Sequence, residues 1–222
     1  MNRPRQLDPL AERVLSLLSG RPEAGQIILG GYLALQHHID YRTTHDIDAW
    51  WSDRAEPAVE AVIRLVMQQV ATETGMTLRE RRFGDTLSFE LVEGGQHWFS
   101  FQIAVRSVAV EEPQPSAWPP LRLETLADNL GAKMNALVNR GAPRDFLDIY
   151  AAVEAGLVTP ARCWDLWQVK NPAGVVDAAR QNLLLHLAGL DSRRPLESIQ
   201  DPAARERARS VRQWFRDTFV RG

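Results

Sequence analysis

Cysteine is almost missing from this chain: of 222 residues, only Cys163 is one. A lone cysteine excludes an internal disulfide framework and a cysteine-ligated metal cluster. It leaves Cys163 as a small apolar filler. Long apolar runs are missing too, and none approaches the roughly 20 residues that a membrane-spanning helix needs. The first segment, MNRPRQLDPLAERVLSLL, carries Glu12 and Arg13 inside and breaks after Leu18, unlike a secretory leader. These absences predict a protein of the reducing cytoplasm with no membrane association. An excess of basic charge is also missing: 26 Lys and Arg face 28 Asp and Glu, a net charge of −2. That argues against a broadly basic nucleic-acid platform and leaves room for a local patch. Apolar mass is not missing, at 45% of the chain, so a core can form.

The pattern along the chain divides into two halves. Residues 8–19 predict an amphipathic helix with Asp8 as its cap, Pro9 in its first turn and a stripe of Leu10, Val14, Leu17 and Leu18. A short apolar strand, Gln26 to Leu29, ends at Gly30-Gly31. A helix over Tyr32–Ile39, a polar loop over Asp40–His45 and a strand over Asp46–Trp51 follow. Apolar residues at three-four spacing predict a helix over Arg54–Thr74, stopped by Gly75. Three strands follow, separated by Gly84-Asp85 and Gly94-Gly95 turns. Prolines 113, 115, 119 and 120 make the region from Glu111 to Pro120 irregular, and mark it as a domain boundary. Everything beyond reads as helix. The expectation is an α/β (α+β) core over residues 1–112 and a helical C-terminal domain over 121–222.

The core holds the first candidate site. In Asp46-Ile47-Asp48, side chains alternate across the strand, so the two carboxylates share a face. Paired carboxylates repel, and a divalent cation such as Mg²⁺ offsets that repulsion and can hold a triphosphate. The bland alternative is a polar strand end. Gly30-Gly31 is either a tight turn needing positive φ or a phosphate turn at a helix start. Arg42 is either a phosphate contact or a partner for Asp40 or Asp46, and Thr43 and Thr44 are loop hydroxyls. His37, His38 and His45 have no ligand set at zinc spacing around them.

The second site is KMNALVNRGAPRDFLDIY, from Lys133 to Tyr150. Lys133 borders the apolar stripe of its helix. Asp145 and Asp148, three apart, share a face of the next helix. Asp145 suits a helix N-terminus. Arg144 and Asp148 can pair at four apart. Lys133 can grip a triphosphate, and Asp148 can order that lysine or accept a proton from a hydroxyl. The arginines of the last helix, at 205, 207, 209, 212, 216 and 221, are interleaved with acids, which favours a solvated helix over an RNA-facing one.

Together these segments resemble the AbiEii-type nucleotidyltransferase toxins, relatives of the polymerase-β-like nucleotidyltransferases. The resemblance rests on Gly30-Gly31-Tyr32-Leu33-Ala34-Leu35, then Arg42-Thr43-Thr44-His45-Asp46-Ile47-Asp48, then Lys133, Leu137, Arg140, Arg144, Asp145 and Asp148. It covers roughly residues 26–155. It implies a nucleotidyltransferase core, a mixed sheet flanked by helices, whose active-site cleft a helical extension completes. It also implies Mg²⁺ on Asp46 and Asp48, and nucleotide binding by Gly30, Gly31, Arg42, Thr44, Lys133 and Arg144. Asp46, Asp48, Lys133 and Asp148 are then the catalytic set. The chain departs from the pattern twice. Gly31 replaces a serine, and the strand from Trp98 to Val105 lacks the third carboxylate of many polymerase-β-like enzymes. Glu90, on the neighbouring strand, is a candidate substitute.

The reading is a Mg²⁺-dependent enzyme that moves an NMP from an NTP to an RNA end, such as a tRNA 3′ end, or to a protein hydroxyl. It would be the toxin of a toxin–antitoxin pair, with a cognate antitoxin as partner. One alternative is a catalytically degenerate fold that binds nucleotide or a partner. Another is a small-molecule enzyme of the aminoglycoside-adenylating type, which would want an acidic acceptor pocket.

Overall fold

Three helices begin with a capping residue followed by proline, a pairing that satisfies a free N–H and presets the first helical φ. Asp8 takes the amides of Leu10 and Ala11 at 2.8 and 3.3 Å at the start of α1 (Pro9–Ser19). Thr159 and Asp201 do the same for two later helices. The computed structural model describes residues 3–106 and 108–221. It divides into two compact units, Met1–Asn129 and Leu130–Gly222.

The first unit is built on a seven-stranded sheet. Its strands are β1 (Ile27–Leu29), β2 (Asp46–Trp51), β3 (Thr77–Phe83), β4 (Thr86–Glu93), β5 (Gln96–Val105), β6 (Gln114–Pro115) and β7 (Arg122–Leu123). The spatial order is β3-β4-β5-β2-β1-β7-β6. β2 runs parallel to β5 and antiparallel to β1, and β1 runs parallel to β7. The sheet is therefore mixed. The short helix α2 (Gly31–Gln36) leads from β1 toward β2, and α3 (Pro57–Thr74) follows β2. Ile47, Ala49 and Trp51 of β2 join Phe99, Phe101 and Ile103 of β5 in a core with Val14, Leu15 and Leu18 of α1 and Ile63, Val66 and Val70 of α3. Alternation then assigns Asp46 and Asp48 to the other face.

The proline-rich segment is not wholly irregular. It supplies β6 and β7, and Pro115 sits in β6, an edge strand, where a missing N–H costs no ladder bond.

The second unit is helical. It takes the larger part of α4 (Leu126–Asn139), then α5 (Pro143–Glu154), α6 (Pro160–Lys170), α7 (Val176–Arg193) and α8 (Pro202–Trp214), closed by a π-helical turn at Phe215–Phe219. That turn seats Phe215 against Phe146 with ring centroids 4.9 Å apart, and Phe219 against Trp164 at 5.4 Å. The indole of Trp164 donates to the Phe219 carbonyl at 3.2 Å. α7 runs on to Arg193, with Leu183, Leu187 and Leu190 keeping the helical apolar spacing.

Candidate active site

β2 positions the acid pair. Asp46 and Asp48 are half-buried while Ile47, Ala49 and Trp51 between and beyond them are buried. The α-carbons of i and i+2 residues on a strand lie about 7 Å apart, within reach of one shared cation. Asp46 Oδ1 accepts the hydroxyl of Ser100 at 2.7 Å. Ser100 stands opposite Asp46 in the parallel register, and Gln102 stands opposite Asp48. The site where a third carboxylate would sit on β5 thus carries a hydroxyl that fixes Asp46 and a neutral amide. Glu90 pairs in register with Ser100, two strand spacings or about 10 Å from Asp46. Its carboxylate lies 3.4 Å from Arg81 of the edge strand, which engages it away from the acid pair. Among the described residues, no group of three His, Cys, Asp or Glu side chains is placed to hold a metal.

The glycine turn is built against the second aspartate. The Gly30 amide donates to the Asp48 carbonyl at 2.8 Å. Gly31 has φ +60°, and a Cβ there would lie 2.2 Å from Asp48 Oδ2. Gly31 is therefore required twice, by its left-handed backbone and by a carboxylate lying over its α-carbon. A serine at this place would meet the same carboxylate. Gly30 is walled on its other side: a Cβ would come within 2.5 Å of Trp50 Nε1 and 2.9 Å of Glu124 Oε1.

Tyr32, on α2, holds the loop that leads into β2. Its hydroxyl accepts the amides of Tyr41 at 3.2 Å and Arg42 at 3.0 Å. The Arg42 guanidinium stacks on the Tyr32 ring, 3.6 Å from its centroid, a cation–π contact that keeps the charge beside α2. Thr44 is buried, and its hydroxyl accepts the Asp46 amide at 3.4 Å. His45 bonds Asp8 at 2.6 Å, tying the loop to the cap of α1. The structure thus brings Gly30, Gly31, Arg42, Thr44, Asp46 and Asp48 together within the first unit.

Within the second unit, Lys133 Nζ donates to Asp148 Oδ2 at 2.6 Å, and Asp148 is fully buried. Asp145 accepts from two guanidinium nitrogens of Arg140, Nε and Nη2, at 2.8 Å and from the Ala142 amide at 3.0 Å, so it caps α5 and binds the end of α4 to it. Arg144, beside it, is exposed. Lysine is scarce: Lys133 and Lys170 are the only two. Lys170 is buried, its stem close to Gly131. Of the last helix's arginines, Arg205 bonds the Ile199 carbonyl, Arg209 pairs with Glu206, and Arg212 and Arg216 pair with Asp191.

A family profile described as the nucleotidyl transferase AbiEii toxin of a type IV toxin–antitoxin system matches residues 13–221. The chain belongs to the AbiEii nucleotidyltransferase toxin family. The match spans both units and most of the chain. A solved structure described as "Crystal structure of putative nucleotidyltransferase from H. pylori" is similar with a TM-score of 0.51. It has 13% sequence identity and covers 96% of this chain and 94% of that one. At that identity the likeness speaks for the fold, a mixed-sheet nucleotidyltransferase core followed by helices. No curated protein sequence matches the chain. No helix among the described residues is long and apolar enough to cross a membrane.

Four side chains around this candidate site have no role in the sequence-based reading: Ser100, Trp50, Glu124 and Asn129. Ser100 becomes visible only once the β2–β5 register is known. Glu124 falls in the stretch beyond the prolines that reads as helix. It lies instead before α4, where its amide donates to the Leu29 carbonyl at 2.9 Å and extends the β1–β7 pairing. No local signal marks it.

Proposed function

We propose that this AbiEii-family chain is a Mg²⁺-dependent nucleotidyltransferase that moves an NMP from an NTP to an RNA end, such as a tRNA 3′ end, or to a protein hydroxyl. The observation that carries the reading is the Gly31–Asp48 contact: a glycine turn and two same-face carboxylates are built as one piece. The oxygen-only donor set of Asp46 and Asp48 suits a hard cation, and Ser100 aims one of the two carboxylates. When bound, Mg²⁺ would supply charge neutralisation for the triphosphate. The Gly30 amide is held by the Asp48 carbonyl, so the Gly31 amide of the turn would face phosphate oxygens, with Thr44 and Arg42 holding the loop beside it. An acceptor hydroxyl attacks the α-phosphorus, the bond to the bridging oxygen breaks, and pyrophosphate leaves. In the second unit, Lys133 donates to Asp148, and the family resemblance assigns its ammonium to the triphosphate. Asp148 holds that lysine and is the candidate acceptor of the hydroxyl proton. Arg144 is a further exposed cation for phosphate. In the cell the chain would act in the cytoplasm, with NTPs as substrate and a cognate antitoxin opposing it.

The experiment incubates the protein with each labelled NTP, Mg²⁺ and a cell lysate, then separates RNA from protein. Label in either fraction with wild type, lost with Asp46→Ala and Asp48→Ala, is the expected result, and the fraction names the acceptor. Tight NTP binding with no transfer to either fraction would favour the second reading, a degenerate fold that binds nucleotide. Ser100 and Gln102, standing where a third carboxylate would, are the observation behind that alternative.

A further inference from the structure

Glu124 is 2% exposed and Asn129 is 1% exposed, and both lie against the Gly30-Gly31 turn. A carboxylate buried this deeply needs donors around it. Glu124 Oε2 accepts the indole N–H of Trp50 at 2.9 Å, and Oε1 accepts Asn129 Nδ2 at 2.5 Å. Asn129 Nδ2 also donates to the Gly31 carbonyl at 2.7 Å. A carbonyl and a carboxylate both only accept, so the amide must turn its NH₂ toward them. Its Oδ1 is left buried with no hydrogen-bond partner, which costs about 1–3 kcal/mol. The fold keeps this amide despite that cost, and what the amide holds is the turn.

The contacts form a closed circuit. Trp50 lies two residues beyond Asp48 on the same face of β2. Its indole reaches Glu124, Glu124 reaches Asn129, and Asn129 reaches the Gly31 carbonyl. Gly31 in turn lies under the Asp48 carboxylate. Glu124 also closes off Gly30, where any side chain would collide with it.

We infer that Glu124 and Asn129 are positioning residues. They set the Gly30-Gly31 turn against Asp48, and neither needs to touch the nucleotide. The inference rests on the reading of Gly30-Gly31 as the phosphate turn. Outer contacts of this kind, when removed, change metal affinity or activity by about 10–100-fold in other proteins. Glu124→Gln keeps the size of the side chain and places an NH₂ where a donor, Trp50 or Asn129, points. Trp50→Phe removes the indole donor and keeps an aromatic side chain.

The test is calorimetric binding of each of the four NTPs with Mg²⁺ to the full chain, alongside urea midpoints. Glu124→Gln is expected to weaken the bound NTP about tenfold or more. Trp50→Phe is expected to weaken it too. The double variant should lose less than the product of the single losses, because both changes break the same bond. Leu183→Ala, a fully buried residue of α7, serves as a destabilised control and should bind NTP as wild type does. Unchanged binding in Glu124→Gln, or an equal loss in Leu183→Ala, overturns the positioning role. If wild type itself binds none of the four NTPs, the nucleotide reading beneath it fails instead.

Discussion

Gly31 makes the sharpest statement at the scale of one residue. Its φ of +60° and the carboxylate over its α-carbon leave no place for a methyl group. Gly31→Ala is expected to lower stability by about 1–3 kcal/mol, read as a lower urea midpoint, and to displace Asp48. Cys163 makes an opposite prediction. Burial pushes its thiol up to about 12, so almost no thiolate exists at pH 8. Ellman's reagent should leave the native chain unlabelled at pH 8 and label one thiol in 6 M guanidinium. His38 gives a pH dependence. Desolvation lowers its pKa below 6.5, so in the window just below 6.5 the unfolded chain binds a proton that the folded chain refuses. Stability therefore falls as pH drops through that window and is fully present above it. His38→Gln should flatten that part of the urea-midpoint curve between pH 7 and pH 5.

At the scale of elements, α4 and α5 are joined by two ion pairs of different kinds. Arg140–Asp145 is half in solvent and also caps a helix, while Lys133–Asp148 is almost wholly withdrawn from water. Removing one member of the buried pair deprives the other buried charge of this 2.6 Å bond. Lys133→Met is expected to cost about 3–5 kcal/mol, and Lys133→Met with Asp148→Leu markedly less. Urea midpoints of the two variants check this. A site in which Lys133 served catalysis alone would show no such recovery.

The elements also show what a sequence exposes and what it hides. Helices were legible where a cap and a proline stand together, as at Asp8-Pro9, because that signal is carried by neighbours in the chain. The hairpins around Gly84-Asp85 and Gly94-Gly95 were legible for the same reason, and so was the shared face of Asp46 and Asp48. β6 and β7 were not. Each has two residues, one includes a proline, and β7 exists because Ile28 meets Arg122 across more than ninety positions. Glu124 was hidden likewise, since what makes it notable is Trp50 and Gly30. Ser100 and Gln102 could be seen as non-acidic, but their places opposite Asp46 and Asp48 belong to the register.

At the scale of the whole molecule, the mixed sheet ranks its own strands. β2 is paired on both sides and its inward face is buried. β3 and β6 are edges, and every residue of β3 except Leu78 is exposed. Hydrogen exchange should find the amides of Ile47 and Ala49 among the slowest in the first unit and those of the outer β3 edge far faster. Comparable protection in β2 and β3 would contradict this ranking.

The strict alternation along β2 has one more consequence. Sliding this strand by one position against β5 would turn Asp46 and Asp48 into the apolar interior and push Ile47, Ala49 and Trp51 outward. A misregistered chain would bury two charges and strip three core residues at a stroke, so it could not persist as a folded but inactive species. The acid pair is thus proofread by the greasy residues it alternates with, and any molecule that folds at all arrives with both carboxylates facing the same way.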